Sequence, residues 1–247
     1  FDILLESEDA FDRHRQRLER VAAETGKTLV PVRMNLRQTR LRELSMGGLW
    51  HGCALASIGL LMEKRYDRLL IPASEDVPDL GPWGSHPDTD PLLSSSTTKV
   101  VHDGGAFARW DKLEFLANFD VALRSLRVCS RDTSENCEAC EKCYRNMIIL
   151  DALNTLGRFT TFPAKTLDLE KVSRIFVRGW REVFYDDLRR FVNSCGRPDI
   201  ARAIDRSIRR SRWRGPLVKA AKRISRLRYA GRLGGWLQKW VLADRLR

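Results

Sequence analysis

Long apolar runs are missing from this chain of 247 residues. Nothing in it approaches the roughly 20 consecutive apolar residues that a membrane-spanning helix needs. No secretory leader is read in these residues, so the usual setting of a disulfide framework is not expected. Internal repeats and low-complexity segments are absent, which excludes solenoid and array architectures. There is no initiator Met. The chain opens with Phe1-Asp2-Ile3-Leu4-Leu5, an apolar run that reads as a strand cut from something longer, so a fragment lacking its true N-terminus is expected.

What is present suffices for one large domain or a domain with an appendage. Hydrophobic residues make up 43% of the chain, enough to bury a sizeable core. Four of the 6 cysteines fall between Cys129 and Cys143 in CxxC-type spacing. In a chain without an export signal that pattern favours metal binding in a reducing cytosol over disulfides. The net charge of +12 is unevenly spread. Residues 171–247 hold about 22 Lys/Arg against about 6 Asp/Glu, roughly +16, which leaves the first 170 residues slightly acidic.

The front of the chain alternates short apolar strands with helices. Phe1–Leu5, Thr28–Met34 and Arg68–Ala73 read as strands, although Pro31 weakens the second. Asp9–Thr25 carries Phe11, Leu18, Val21 and Ala22 at helical spacing and stops at Gly26. Gly48–Lys64 is apolar almost throughout, as a buried helix would be. Lys99–His102 suggests a further strand, and Arg109–Asn118 and Glu141–Leu156 suggest helices. The expected fold is α/β, a parallel sheet flanked by helices. A four-cysteine zinc subdomain and a helical basic C-terminal extension follow it. The boundaries are placed at 1–125 for the α/β core, 126–163 for the zinc subdomain and 164–247 for the extension.

The cysteines read C-x7-C-x2-C-x2-C. Cys129, Cys137, Cys140 and Cys143 can close a tetrahedral zinc site, with an iron–sulfur cluster as the competing occupant. Four thiolates saturate the ion, so the site is expected to be structural. Cys53 and Cys195 read as ordinary thiols. In parallel α/β sheets ligands bind beyond the carboxyl ends of strands, and the polar loop 76–98 follows the Leu69–Ala73 strand. Within it Ser85, His86, Asp88 and Asp90, then Ser94–Thr98, are candidates for a polar substrate or a magnesium–phosphate group, against a plain surface loop. His102-Asp103-Gly104 ends a strand as a candidate catalytic or binding pair, and Arg109 and Lys112, which open the next helix, are candidates for phosphate contacts against plain solvated charges. The tail clusters Arg with Trp213, Tyr229, Trp236 and Trp240. An anionic partner, nucleic acid or a membrane surface, competes there with a set of solvated basic helix faces.

Taken in order, the βα sheet, the Ser/Asp/Pro loop, the helix carrying Lys112 and C-x7-C-x2-C-x2-C-x-R resemble a known family. It is the C-terminal part of 7-cyano-7-deazaguanine synthase-like proteins, in the PP-loop ATP pyrophosphatase (adenine nucleotide alpha-hydrolase-like) superfamily. The resemblance runs from about Phe1 to Pro163 and is strongest over Leu126–Asn146. Trp83–Pro91 replaces that family's Tyr-Pro-Asp-Cys-Arg loop with Gly-Ser-His-Pro, as in a divergent branch.

The resemblance implies a Rossmann-like sheet of HUP type and a cytoplasmic enzyme. It further implies that ATP with Mg adenylates a carboxylate of a small molecule or macromolecule, which a nucleophile such as ammonia then attacks. His51, Gly52 and Lys112 would lie near the nucleotide, with Ser74, Glu75, Asp76, Ser85, His86, Asp88 and Asp90 facing substrate. The Ser-Gly-Gly-x-Asp-Ser phosphate loop that this chemistry needs occurs nowhere in the 247 residues. The resemblance places it upstream, so the parent would be the ligase and this fragment alone inactive. The alternative is a non-catalytic, zinc-stapled nucleic-acid-binding or scaffold protein. Against it, residues 129–143 are slightly acidic, whereas a module gripping phosphate is expected to be basic.

Overall fold

The computed structural model describes residues 8–74, 81, 83–129, 136–177 and 179–226, with Trp180 and 217–226 described by backbone alone. The candidates Glu75 and Asp76, the expected strand Phe1–Leu5, and Tyr229, Trp236 and Trp240 lie outside the described residues. The fold is α/β and mostly helical, and the chain divides into two compact units, Phe1–Phe115 and Leu116–Arg247.

In the first unit, helix α1 (Glu8–Thr25) is amphipathic and ends at Gly26 in a left-handed conformation. The strand expected over Thr28–Met34 does not form. Residues 27–35 are irregular, with Val30 and Val32 exposed. Pro31 cannot donate to a ladder, and Arg33 instead ties the segment back to α1. Its guanidinium forks onto Glu8 at 2.6 and 2.8 Å and lies 4.0 Å over the Phe11 ring.

The helix expected from Gly48 is split in two. A π-type turn over Met46–Trp50 precedes α2 (His51–Leu61), and α2 buries Gly52, Ala54, Ala56 and Gly59 while the stripe of Cys53, Ser57 and Leu61 stays exposed. Leu61 is 87% exposed, so the uniformly apolar sequence does not make a fully buried helix.

Two strands, β1 (Arg68–Pro72) and β2 (Lys99–Asp103), pair in parallel with Arg68 opposite Lys99 and Pro72 opposite Asp103. Ala56 of α2 packs on Ile71 and Val100, with Leu55, Leu69 and Leu93 around them. Gly59 permits this approach, because a Cβ there would meet Leu69 at 2.8 Å. The Ser94–Thr98 run is structural. Ser95 Oγ accepts the Thr97 and Thr98 amides, Thr98 Oγ donates to the Tyr66 carbonyl, and Ser94 Oγ receives the Val100 amide. These bonds fix where β2 begins. Helix α3 (Arg109–Leu116) follows.

The second unit opens with a short helix, α4 (Asp120–Ser125), and is centred on α5 (Glu141–Ala152). Every residue from Cys143 to Leu150 is buried, so α5 is enclosed on all sides rather than along one stripe. Around it lie α6 (Leu169–Arg174), α7 (Trp180–Ser194) and α8 (Pro198–Arg226). Val172, Tyr185, Leu188, Val192, Ile200 and Ile204 from these three helices are all fully buried. The helices beyond residue 164 therefore share one compact unit with the cysteines. Ser207 and Ser211 fasten α8 to the chain between α6 and α7. Ser207 Oγ donates to the Ile175 carbonyl at 2.7 Å, and Ser211 Oγ accepts the Val177 amide at 2.9 Å.

Candidate functional site

Cys129, Cys137, Cys140 and Cys143 converge, with all four Sγ atoms within 4.8 Å of one another. The Cys129–Cys140 and Cys137–Cys143 separations are 3.8 Å, and Cys140–Cys143 is 3.4 Å. A tetrahedron with Zn–S arms of about 2.3 Å has edges of about 3.8 Å, so the donor set has the dimensions of a single ion. None of the six cysteines is in a disulfide. An iron–sulfur cluster binds its cysteines through separate irons, which would spread the sulfurs further than one tetrahedral edge. The four cysteines can thus hold one metal ion of zinc's size and coordination.

Two backbone devices build the site. Glu138 takes a left-handed conformation at φ 49°, which turns the chain tightly between Cys137 and Cys140. Cys140 then caps α5 and brings Cys143 into its first turn, at the end of the helix that favours negative charge. Donation from the Cys143 thiol, above all, holds Cys140 down to about 5 despite burial, with help from the Cys143 amide. Cys143 is correspondingly pushed far up as the donor to that thiolate, and burial pushes Cys137 up. Four such sulfurs cannot all ionise side by side without a cation between them.

Asn136 organises the surroundings, and no sequence signal marked it beyond its place before Cys137. It is buried, and its Oδ1 accepts the amides of Val128 and Cys129 at 3.0 and 3.2 Å. Its Nδ2 donates to the Leu126 carbonyl and to Thr161 Oγ1, and its own amide donates to the Thr161 carbonyl. One side chain therefore joins the segment leading to Cys129, the CxxC turn and the segment after α5. Next to the cluster, Glu141 gathers Arg145 at 3.4 Å, Arg181 at 3.7 Å and the Tyr185 hydroxyl at 3.3 Å.

The second cluster lies in the first unit, at the carboxyl ends of the parallel strands. Residues alternate across a sheet, so His102 follows Val100 on the face that α2 covers. Its Nδ1 lies 2.8 Å from Asp90 Oδ2, and both side chains are buried. Ser85 Oγ donates to the same oxygen at 2.6 Å, and the His86 amide donates to Asp90 Oδ1 at 3.2 Å. An ionised Asp90 only accepts, so the His102 nitrogen that faces it is the donor of that contact. Nε2 is buried and meets no hydrogen-bond partner among the described residues.

Glycines allow the cluster to close. The Gly52 amide donates to the Gly84 carbonyl at 2.7 Å, and a Cβ on Gly52 would meet that oxygen at 2.4 Å and Asp90 Oδ1 at 2.9 Å. His51 packs its ring edge-on to Trp83 at 5.7 Å.

Of the sequence candidates, Gly52, Ser85, His86 and Asp90 come together, with His51 beside them on Trp83. His102 joins them through Asp90 rather than through its neighbour Asp103. Lys112 and Ser74 sit at the end of β1, where Lys112 Nζ donates to the Ala73 carbonyl at 3.1 Å and Arg109 donates to the Ser74 carbonyl at 2.8 Å. Asp88 projects into solvent, 3.4 Å from His86 Nδ1.

Fold and site define an α/β protein with a four-cysteine cluster able to hold a metal ion and a buried Ser–Asp–His cluster at a strand end. No family model, no curated protein and no solved structure matches the chain. No described helix is long and apolar enough to cross a membrane.

Proposed function

We propose that this chain is the zinc-stapled, substrate-recognising part of an ATP-dependent adenylating ligase, a divergent relative of 7-cyano-7-deazaguanine synthase-like proteins with a HUP-type sheet. The observation that carries the reading is the buried Asp90–His102 pair, whose Nε2 is left bare beyond the carboxyl end of a parallel strand. Substrates of open α/β sheets bind at that edge, and a buried polar atom without a partner costs about 1–3 kcal/mol unless a ligand completes it. In this reading His102 takes up the proton that the attacking nucleophile releases, and Asp90 is the positioning residue that fixes its tautomer. Lys112 and Arg109 supply positive charge at the same edge, where phosphate is handled. The four thiolates hold zinc without an open position, so the metal acts as a structural staple. The phosphate loop is no part of these 247 residues, so no step through ATP is derived from them.

The test is made on the chain expressed with any coding sequence that precedes Phe1. Given ATP, Mg and candidate carboxylates, it is expected to release AMP and pyrophosphate. His102→Ala and Asp90→Asn should lower product formation by about 10²–10⁴-fold, the range of general-base catalysis, with zinc content unchanged. If neither nucleotide product forms, or if the Asp90 and Lys112 variants turn ATP over like the wild type, the reading fails.

A further inference from the structure

Several arginines of the second unit are spent on acidic partners. Arg174 pairs with Glu170, Arg189 with Asp186 and Asp205, Arg197 with Asp151 and Asp199, and Arg212 with Glu182. Arg202, Arg206 and Arg209 of α8 are exposed and make no hydrogen bond or ion pair among the described residues. At 100° per residue these three and Trp213 fall within an arc of about 60°, and the row is about 16 Å long. Trp213 closes the row at 73% exposure.

From this row we infer a docking surface for single-stranded nucleic acid. The cations follow one another at about 5 Å along the helix, a single file suited to the evenly spaced charges of one phosphate backbone. The exposed indole beside them offers a stacking platform for an unpaired base. A membrane surface fits less well. An interfacial helix must insert its apolar face, and over its described side chains the apolar face of α8 is already spent. Ile200, Ala203, Ile204 and Ile208 are packed in the core of the unit. Among its described side chains, α8 leaves outside mainly charge, with Pro216 and one aromatic ring. This surface does not depend on the ligase reading, since none of its residues belongs to the strand-edge cluster.

The test is fluorescence anisotropy of the full 247-residue chain with a labelled 20-mer of deoxythymidylate, over a series of salt concentrations. Binding should weaken with salt. The variant R202Q/R206Q/R209Q should reduce the slope of log K against log salt by about 2, from about 0.7 per lost phosphate contact. Trp213→Ala should weaken binding about tenfold with the slope unchanged, as loss of one stacked base does. Arg174→Gln, at an exposed but paired arginine, should bind like the wild type. All four substituted arginines are solvent-facing, and retained zinc and helicity would show that the variants fold. The inference is overturned if the 20-mer does not bind, or if the triple variant keeps the wild-type slope. Stripe-dependent binding to phosphatidylserine vesicles with none to the oligomer would equally overturn it.

Discussion

At the scale of single residues, the two clusters depend on different physics. The cysteine cluster rests on Asn136, which answers five backbone and side-chain groups from two segments, 126–129 and Thr161. Asn136→Ala removes the acceptor of two amides beside Cys129 and leaves them buried. The expected loss is about 10–100-fold in zinc affinity, the usual effect of removing an outer-shell partner. Competition with a chromophoric chelator measures it, and an affinity equal to the wild type would show that Asn136 serves only the loop. The strand-edge cluster rests on a missing Cβ. Gly52→Ala sets a methyl group 2.4 Å from the Gly84 carbonyl, a backbone atom that cannot swing aside. About 1–3 kcal/mol of destabilisation is expected, as for other overpacked sites. In urea unfolding Gly157→Ala, whose Cβ would meet only the Lys165 carbonyl at 3.9 Å, should stay near the wild type. Equal midpoints for the two variants would remove the claim that this approach is tight.

At the scale of elements, Arg197 is the joint between α7, α8 and the end of α5. It donates to Asp151 at 2.7 Å and forks onto Asp199 at 2.9 and 3.0 Å. The Arg197 guanidinium, through these bonds, holds the Asp199 carboxyl below its usual range. A carboxylate held down when folded contributes stability above its unfolded value of about 3.9, and that contribution is lost as pH falls through the folded value. The thermal midpoint should therefore fall between pH 5 and pH 2 by more in the wild type than in Arg197→Ala. Parallel pH profiles for the two proteins would refute the linkage.

Elements were legible in the sequence where a local pattern decides them. Examples are the 3.6-residue period and Gly26 stop of α1, the short apolar runs of β1 and β2, and the CxxC turns leading into α5. Those decided by remote partners were not. Thr28–Met34 has the apolar content of a strand, but a strand needs a neighbour, and Arg33 found Glu8 and Phe11 instead. The Gly47-Gly48 pair gave no warning of the π-type turn that lets α2 begin against Gly84. Asp90 and His102 are 12 positions apart on different elements, and their pairing is set by the register of β2. Asn136 reads as one more polar residue in a polar loop until its five partners are seen.

For the whole molecule, the division into two units predicts how stability is shared. The first unit has a small core of Ala56, Ile71 and Val100 under α2, and no cysteine ligand lies in it. The second encloses α5, whose first turn carries Cys143 and whose cap is Cys140, so the four-cysteine cluster and this buried helix share a backbone. A structural four-thiolate zinc site supplies apparent binding energy of about 10–16 kcal/mol, comparable with the whole stability of a domain. Removing the ion with a strong chelator should therefore act on the second unit alone. Hydrogen exchange on the full chain should show amides of α5 and of 126–129 losing protection, while α2, β1 and β2 exchange as before. Restoring zinc should bring the protection back. Loss of protection in α2 to the same extent would mean that the two units unfold together. Unchanged protection in α5 would mean that the four thiols need no metal to hold this helix in place.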